Sequence, residues 1–207
     1  MEDSKQHILQ EADKLFMRYG IRSVTMDDIA KALGISKKTI YVNFKDKNEL
    51  VHELFSQMFS ENRTCIQQCC VEAENAVEEV FLMMKFLKEQ IANINPVVFY
   101  DLEKYHAATN DAFKEFKHNH IYIQIKLCLE RGIAQGVFRP DINIEILTAS
   151  RLNQIDWIFE SDFVRSGTFS LYDVFLETTF HFLRGICTTK GNELIEEYIK
   201  TINSVKL

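Results

Sequence analysis

Helix-breaking residues are scarce in this sequence. Its 207 residues include two prolines, Pro96 and Pro140, and seven glycines. Because proline and glycine are frequent in chains built from many short strands, their scarcity favours long helices. A chain of this length forms roughly one or two domains and can bury a full hydrophobic core.

Long apolar runs are also missing. The most apolar stretch, residues 81–87, is interrupted by Lys85 and is far shorter than the roughly 20 residues of a membrane-spanning helix. The charged N-terminal residues lead directly into an amphipathic pattern rather than an export signal. Five cysteines, an odd number, then indicate free thiols. We therefore expect a cytoplasmic protein with no membrane partner.

Catalytic motifs are absent as well. The sequence has no G-x-x-x-x-G-K, G-x-S-x-G or H-E-x-x-H pattern. His118 and His120 superficially resemble a nuclease motif, but at i and i+2 on a helix they would point to nearly opposite faces. The carboxylate pairs Glu78–Glu79 and Glu196–Glu197 fit solvated helix faces. We expect no enzymatic activity, no metal and no cofactor.

Neither sign of charge dominates strongly. The net charge is −6, but residues 1–50 hold nine Lys/Arg against eight Asp/Glu, and residues 51–207 hold 15 against 22. A weakly basic N-terminal region on an acidic remainder argues against indiscriminate binding to polyanions. Any nucleic-acid binding should therefore depend on a few placed cations and be sensitive to salt.

Residues 25–50 contain the start, turn and restart of two short helices. Thr25 and Asp28 have the spacing of a capping box. Gly34 can leave the helix in the left-handed conformation, and Ser36 begins a new helix two residues later. Between them, apolar residues recur at the spacing of one buried helix face: Met26, Ile29, Ala30 and Leu33. This layout is typical of a helix-turn-helix, whose second helix enters the major groove of DNA.

The second helix, residues 37–44, has side chains suited to DNA. Ile40 and Phe44 would face inward, which leaves six residues outside: Lys37, Lys38, Thr39, Tyr41, Val42 and Asn43. Ammonium and hydroxyl groups bind phosphates, asparagine can pair with adenine, and methyl groups contact thymine. The alternative is an ordinary helical hairpin with a solvated basic face, but the caps, the turn and both faces agree with DNA binding.

Asp46 is placed to cap a further helix, and Lys47 falls in the first turn of that helix. A cation at this end is unfavourable to the helix dipole. Its presence therefore suggests an outside anion, such as a backbone phosphate.

These residues make the segment similar to the TetR-like (tetracycline-repressor) family of bacterial transcriptional regulators. The first helix also agrees, with Ala12, Leu15, Phe16 and Gly20. The matching positions of the motif are Thr25, Ile29, Ala30, Ala32, Gly34, Ile35, Ser36, Thr39, Ile40, Tyr41, Phe44, Lys47, Glu49 and Leu50. Lys38 stands where the family more often has a small residue, and Val42–Asn43 replace a frequent aromatic residue or histidine. The operator sequence is therefore not readable from this segment.

The resemblance implies roles for particular residues. Those expected to contact phosphates are Thr25, Ser36, Tyr41 and Lys47, and those expected to face bases or groove walls are Lys37, Lys38, Val42 and Asn43. It also implies an all-α fold of about nine to ten helices. A three-helix DNA-binding domain at residues 1–46 would precede a helical effector-binding and dimerisation domain at residues 47–207.

Apolar periodicity gives the approximate organisation of the second domain. Helices are predicted over residues 46–70, 74–93, 110–135, 142–165, 170–187 and 191–204, with a short aromatic segment at 97–106. Residues 132–147 also resemble the turn that precedes the penultimate helix pair of the family. This marks residues 142–187 as the predicted dimerisation pair.

The aromatic content points to a pocket for a small ligand. Sixteen Phe, seven Tyr and one Trp fall mostly after residue 50, and apolar pockets between helices are common ligand sites. The candidate lining residues are Phe55, Phe59, Phe81, Met84, Phe99, Tyr100, Tyr105, Phe116 and Trp157. Each can equally be core packing, and the pocket is favoured mainly by the resemblance. We expect an apolar or aromatic effector that favours a conformation unable to bind DNA.

The two helices predicted at 142–165 and 170–187 have apolar residues on more than one face. A single contact within the chain would not cover all of these faces. The predicted dimer interface comprises Leu147, Ile155, Ile158, Leu171, Phe175, Thr179, Phe182 and Ile186. Two such hairpins would form a four-helix interface and place two recognition helices about 34 Å apart on a palindromic operator. The alternative is that both helices are buried within one chain.

Cys65, Cys69 and Cys70 cluster on the helix predicted at 46–70. They are interpreted either as a redox or soft-metal sensor or as small buried hydrophobes. The leading prediction is a homodimeric transcriptional repressor that binds a double-stranded DNA operator and is released by a small effector. Its rival is a helical ligand-binding or architectural protein that binds DNA without specificity.

Overall fold

The computed structural model describes residues 2–91, 94–160 and 162–204, and most of these residues are helical. The helices follow in the order α1 (Glu2–Tyr19), α2 (Met26–Leu33), α3 (Lys37–Asn43), α4 (Lys47–Glu72), α5 (Ala76–Ile91), α6 (Val97–Tyr105), α7 (Ala107–Phe116), a π-helical turn (Lys117–Ile121), α8 (Tyr122–Ala134), α9 (Ile144–Glu160), α10 (Asp162–Arg165), α11 (Leu171–Ile186) and α12 (Thr189–Ser204). The predicted all-α class is confirmed. Within the described ranges, no helix has the length and apolarity to cross a membrane.

The α2–turn–α3 segment forms for local reasons. Thr25 Oγ1 accepts the Asp28 N–H at 3.2 Å, and Asp28 Oδ2 accepts the Thr25 N–H at 2.9 Å, so the capping box is complete. Gly34 ends α2 with φ +65°, a left-handed conformation that other residues rarely adopt. Ser36 Oγ then accepts the Thr39 N–H at 3.1 Å and starts α3. The predicted helix-turn-helix is confirmed.

The chain divides into two compact units. We name Met1–Glu61 with Asn93–Phe116 the head unit, and Asn62–Ala92 with Lys117–Leu207 the bundle unit. The division falls inside α4, whereas the sequence predicts domains at 1–46 and 47–207. That functional boundary stays a prediction, because a unit defined by packing need not coincide with a domain defined by its role.

The bundle unit has an apolar core drawn from α5, α8, α11 and α12. Its buried residues include Val77, Phe81, Leu129, Phe138, Leu183 and Ile195. Gly132 on α8 lies directly against Phe138, since a Cβ atom at this glycine would come within 1.9 Å of the ring. The close approach of α8 to the following loop therefore depends on the missing side chain.

The helix predicted over 110–135 is interrupted. The π-helical turn Lys117–Ile121 separates α7 from α8, and such turns add one residue to a helical turn. Lys117 is only 6% exposed and its Nζ donates to Asp156 Oδ1 on α9. This long-range pairing gives the turn a packing role that helical periodicity does not reveal.

Candidate functional site

The outward face of α3 carries the side chains that the sequence predicts to contact DNA. Tyr41 and Val42 are 45% and 72% exposed, although both are large hydrophobic residues. Lys37 and Lys38 are also exposed. Ile40 is fully buried, as the inward-facing role requires. An exposed valine beside two lysines suits a surface that meets methyl groups and phosphates.

Lys37 is held at one edge of this face. Its Nζ lies 2.9 Å from Asp27 Oδ1 on α2, and this ion pair raises the pKa of Lys37. The same ammonium lies 5.9 Å from the centre of the Tyr41 ring. Asp27 therefore fixes the direction of the Lys37 side chain, and a DNA phosphate would compete with this carboxylate for the ammonium.

Thr39 and Asn43 are less available than the sequence suggests. Both are half-buried, and Asn43 Nδ2 donates to the Thr39 carbonyl at 2.8 Å. Ser36 Oγ lies 2.9 Å from Thr39 Oγ1. This bond uses one of the two hydrogens of the Asn43 amide nitrogen, and the predicted contact of Asn43 with adenine stays a prediction.

Lys47 has partners inside the protein. Its Nζ donates to the carbonyl oxygens of Ile21 and Val24, at 2.5 Å each, and burial lowers its pKa. The two carbonyls lie in the connection between α1 and α2. An outside anion is thus not needed to explain a cation in the first turn of α4, and the predicted phosphate contact of Lys47 stays a prediction.

A second polar contact holds the same connection and was missed from the sequence. The Asp101 carboxylate on α6 is 3% exposed and accepts the Arg22 backbone N–H at 2.7 Å. Arg22 Nη1 donates to Tyr105 Oη at 2.6 Å. Asp101 and Arg22 are 79 residues apart in the chain, so no local pattern could have paired them.

His106, which ends α6, is 8% exposed, and its Nδ1 is buried without a hydrogen-bond partner among the described residues. Burial lowers the pKa of His106, and the charge of Lys47 lowers it further, whereas Asp101 acts in the opposite direction. The imidazole is therefore neutral at physiological pH.

Several candidate effector residues come together in the head unit as an aromatic cluster, which we define as Phe55, Phe59, Phe99, Phe113 and Phe116. The Phe59 ring lies 5.1 Å from Phe116 and 5.5 Å from Phe113, in both cases nearly parallel. Phe113 also lies 6.1 Å from Phe99. Phe113 was not among the candidates, although its place in the apolar stripe of the predicted 110–135 helix could have indicated it.

Comparison with known protein families agrees with this geometry. Residues 8–54 match the family described as bacterial regulatory proteins, tetR family, and these residues contain α2, the Gly34 turn and α3.

This chain is a TetR-family DNA-binding transcriptional regulator.

Relatives of this regulator extend beyond the matched segment. The HTH-type transcriptional regulator YhgD of Bacillus subtilis is 29% identical over 142 residues, 67% of this chain and 73% of YhgD. The HTH-type transcriptional repressor KstR2 of Mycolicibacterium smegmatis is 24% identical over 193 residues, 91% of this chain and 93% of KstR2. These relatives are regulators rather than enzymes.

The whole fold resembles that of solved TetR-family proteins. A TetR-family regulator from Agrobacterium tumefaciens superposes with a TM-score of 0.74 at 20% identity, over 90% of this chain and 99% of that one. The likeness confirms the predicted architecture of a helix-turn-helix followed by a helical C-terminal part.

The aromatic cluster as defined does not include the remaining effector candidates of this TetR-family protein. Tyr105 is 38% exposed on α6. Phe81 and Met84 are buried in the bundle unit, where Phe81 packs on Phe180 and Tyr198. Trp157 is 47% exposed and stacks on Phe163 at 6.1 Å. Tyr100 is half-buried. The nine candidates thus fall in both units, and their effector role stays a prediction.

The predicted dimer residues of α9 and α11 differ in burial within the single chain. Those already buried are Ile158, Leu171, Phe175, Thr179 and Ile186, and those half-buried are Leu147, Ile155 and Phe182. The first group packs inside the bundle unit, so only the second group offers apolar surface to a second chain. The interface itself stays a prediction.

Three cysteines of this regulator, Cys69, Cys128 and Cys187, are buried, whereas Cys65 and Cys70 are half-buried. Burial, followed by the neighbouring Cys65, raises the pKa of Cys69 to about 12. Burial likewise raises the pKa of Cys187 to about 11 and that of Cys128 well above its usual value. These thiols stay protonated and poorly nucleophilic at neutral pH. Within the described residues, no group of three or more His, Cys, Asp and Glu side chains could hold a metal.

Proposed function

We propose that this protein is a repressor that binds a palindromic operator as a homodimer and releases it when a small apolar or aromatic effector binds. The observation that carries the proposal is the outward face of α3, where Tyr41 and Val42 are exposed beside Lys37 and Lys38. Exposure of a large hydrophobic side chain to water is unfavourable in free energy. The position of Tyr41 and Val42 on a recognition helix favours contact with DNA over contact with solvent.

Separate residues of α3 would supply affinity and sequence preference. Lys37 and the Tyr41 hydroxyl would bind phosphates, and such contacts fix the position of the helix on the duplex. Lys38 and Val42 are exposed on the outward face of α3, so they are the candidates for contacts with bases. The near-balanced charge of residues 1–50 means that non-specific attraction to DNA is weak, which favours a specific regulator over an architectural protein.

A homodimer would bring two copies of α3 to one DNA face. The exposed flank of α9 and α11 includes the half-buried Leu147 and Phe182 and the exposed Gly185. A Cβ atom at Gly185 would meet nothing within 4 Å in this chain. A second copy can therefore pack closely against α11 at this glycine, as helix pairs in four-helix interfaces require.

Release by an effector is supported by the contents of the head unit. The aromatic cluster lies in the same compact unit as α2 and α3. Asp101 on α6 holds the backbone before α2. A planar apolar molecule inserted among the rings would shift the packing of α6 and α7, and the α1–α2 connection would move with Asp101. KstR2, a relative described as a repressor, supports the direction of regulation.

Selection of binding sites from random DNA tests both the recognition helix and the dimer. Wild-type protein should select a two-fold symmetric sequence. Lys38→Ala and Val42→Ala should change the selected bases, because a good base contact contributes about 1–3 kcal/mol of discrimination. Tyr41→Phe should weaken binding to all sequences alike. Lys14→Ala, an exposed lysine on α1, is the matched control and should change nothing.

The test of the dimer uses Gly185→Arg, at a position where an added Cβ atom would meet nothing within 4 Å in the single chain. The variant should be a folded monomer in sedimentation and should select no symmetric site. Ala134→Arg, at an exposed position of α8, controls for added charge. A selected site that is unchanged by replacing Lys38, Val42 and Asn43 together with alanine would refute the recognition helix. A wild-type monomer at micromolar concentration would refute the dimer.

A further inference from the structure

Arg151 on α9 is a buried cation in an apolar setting. The residue is 6% exposed, and its guanidinium lies 5.4 Å from the ring centre of Phe175 and 5.5 Å from that of Phe182. Its Nη1 donates to Gln154 Oε1 and its Nη2 to Thr179 Oγ1, at 2.5 Å each. Both acceptors are neutral, so neither balances the charge.

The two other buried charges described in the bundle unit have partners of opposite sign. Glu79 lies 3.2 Å from Arg131, and Lys117 pairs with Asp156. Among the described side chains, no carboxylate oxygen lies within 4.0 Å of the Arg151 nitrogens. Burial lowers the pKa of Arg151 to about 10, and it remains protonated at neutral pH.

A second unmatched polar group lies on the same side of α9. Thr148 is fully buried, and its Oγ1 has no hydrogen-bond partner in the described part of the chain. Residues at i and i+3 are neighbours on a helix surface, so the Thr148 hydroxyl and the Arg151 guanidinium lie one turn apart. Buried polar groups are nearly always paired in native proteins, and a charge buried without a counter-ion is especially unfavourable. The inner face of α9 therefore carries a buried charge and a buried hydroxyl that no described side chain matches.

We propose that Arg151 anchors a binding site in the bundle unit for the carboxylate of a small amphiphilic molecule, with the Thr148 hydroxyl as a second donor. The guanidinium has five N–H groups in a planar fork that matches the two oxygens of a carboxylate. One unpaired positive charge corresponds to a monoanion. The Phe175 and Phe182 rings beside it suit an apolar or aromatic body.

This inference rests on the effector regulation proposed above, but it places the effector in the bundle unit instead of among the rings of the aromatic cluster. It also narrows the effector class from apolar molecules to apolar monocarboxylates. A carboxylate from a second copy of the chain is the competing source for the same charge. The two sources differ in one respect that can be measured. A small-molecule site leaves the ligand-free protein with an unpaired charge, whereas a contact between copies satisfies that charge as soon as the dimer forms.

Thermal unfolding tests the proposal at constant ionic strength with acetate, butyrate, octanoate, benzoate and phenylacetate, each beside its uncharged amide. At least one carboxylate should raise the Tm of wild-type protein by about 5 °C near saturation, and its amide should not. Arg151→Met should abolish the shift. Arg151→Lys, which keeps the charge without the fork, should retain only a small part of it.

The ligand-free variants give a result that does not depend on choosing the right carboxylate. Because Arg151→Met removes an unpaired buried charge, its Tm without ligand should equal or exceed that of wild type. A variant that sediments as a monomer while wild type is a dimer would assign the counter-ion to the second copy and overturn the proposal. A Tm lower by more than about 5 °C would also overturn it, because Arg151 would then stabilise the protein without a ligand. The absence of a shift with all five carboxylates would overturn it as well.

Operator binding, measured on the same samples, separates this proposal from the proposed function. Ligand-free Arg151→Met should bind the selected operator as wild type does, and the active carboxylate should weaken operator binding of wild type only. If wild type shows no sequence-specific DNA binding, the proposed function fails while the carboxylate-dependent Tm shift still stands. If the carboxylate stabilises the protein but leaves operator binding unchanged, the site stands and its role as the effector site is refuted.

Discussion

The head unit and the bundle unit use their buried polar side chains differently. In the head unit, Lys47 donates to two backbone carbonyls, and Asp101 accepts from a backbone N–H. In the bundle unit, Glu79 pairs with Arg131, and Lys117 pairs with Asp156. Lys47 and Asp101 thus hold the main chain of the head unit, whereas Glu79–Arg131 and Lys117–Asp156 join side chains of different helices, although Arg131 also donates to the Cys70 carbonyl at 2.9 Å.

This difference affects how each unit tolerates change. A contact to backbone depends on one side chain only, and its loss costs about the free energy of a hydrogen bond. A contact between packed helices depends on both partners and on the space around them, so its disturbance leaves a buried charge or a steric clash. We therefore expect substitutions in the bundle unit to have larger effects on stability than comparable ones in the head unit.

The largest difference in stability between the two units is expected for the replacement of one glycine in each unit. Gly132→Ala would place a Cβ atom 1.9 Å from the Phe138 ring, whereas at Gly34 the same atom would meet nothing within 4 Å. We expect Gly132→Ala to lower the free energy of unfolding by about 3 kcal/mol through overpacking. Gly34→Ala should cost about 1–2 kcal/mol through its left-handed backbone alone. Urea unfolding followed by circular dichroism measures both, and equal losses would contradict the comparison.

An intermediate effect is expected for Lys47→Met. Loss of the two carbonyl contacts should lower the free energy of unfolding by about 1–2 kcal/mol, partly offset by the apolar replacement. The salt dependence of DNA binding should not change, since a lost phosphate contact would reduce the slope of log K against log salt by about 0.9. Lys38→Met is the control, and it should leave the free energy of unfolding unchanged. A reduced slope for Lys47→Met would instead support the phosphate contact that the sequence predicts.

The α2–α3 segment and the surroundings of Lys47 show what could be predicted from sequence. Thr25, Gly34 and Ser36 act on backbone groups within five residues of themselves, so their spacing alone predicts the caps and the turn. The Asp101–Arg22 bond spans 79 residues. The fit of Gly132 against Phe138 and the burial of Arg151 likewise depend on the packing of helices distant in sequence. Periodicity identified helices in this region but not their partners.

The smallest expected effect concerns pH and the head unit. Because the pKa of His106 is lowered in the folded state, the unfolded state binds more protons below its usual pKa of about 6.5. The contribution of the neutral imidazole is thus present above pH 6.5 and is lost as the pH falls toward the lowered folded-state pKa. Between pH 7.5 and pH 5.5 the free energy of unfolding should decrease more for wild type than for His106→Gln. The difference between the two decreases should be less than about 1 kcal/mol.

Thermal unfolding at the two pH values checks this, with His181→Gln as the control, since His181 is exposed on α11. Its pH response should match that of wild type. If stability instead rises as the pH falls, the pKa of His106 is raised on folding. The buried imidazole would then donate to a hydrogen-bond acceptor in the folded state.

The composition of the head unit has a consequence for recombination between regulators. Residues 8–54 carry the family match, but the unit that contains them also takes Asn93–Phe116 from later in the chain. A chimaera that moved only the N-terminal segment onto another regulator would leave behind Asp101, the side chain that holds the Arg22 backbone. Exchange of operator specificity should therefore succeed only when the receiving regulator has an equivalent carboxylate, or when residues 93–116 are transferred together with the N-terminal segment.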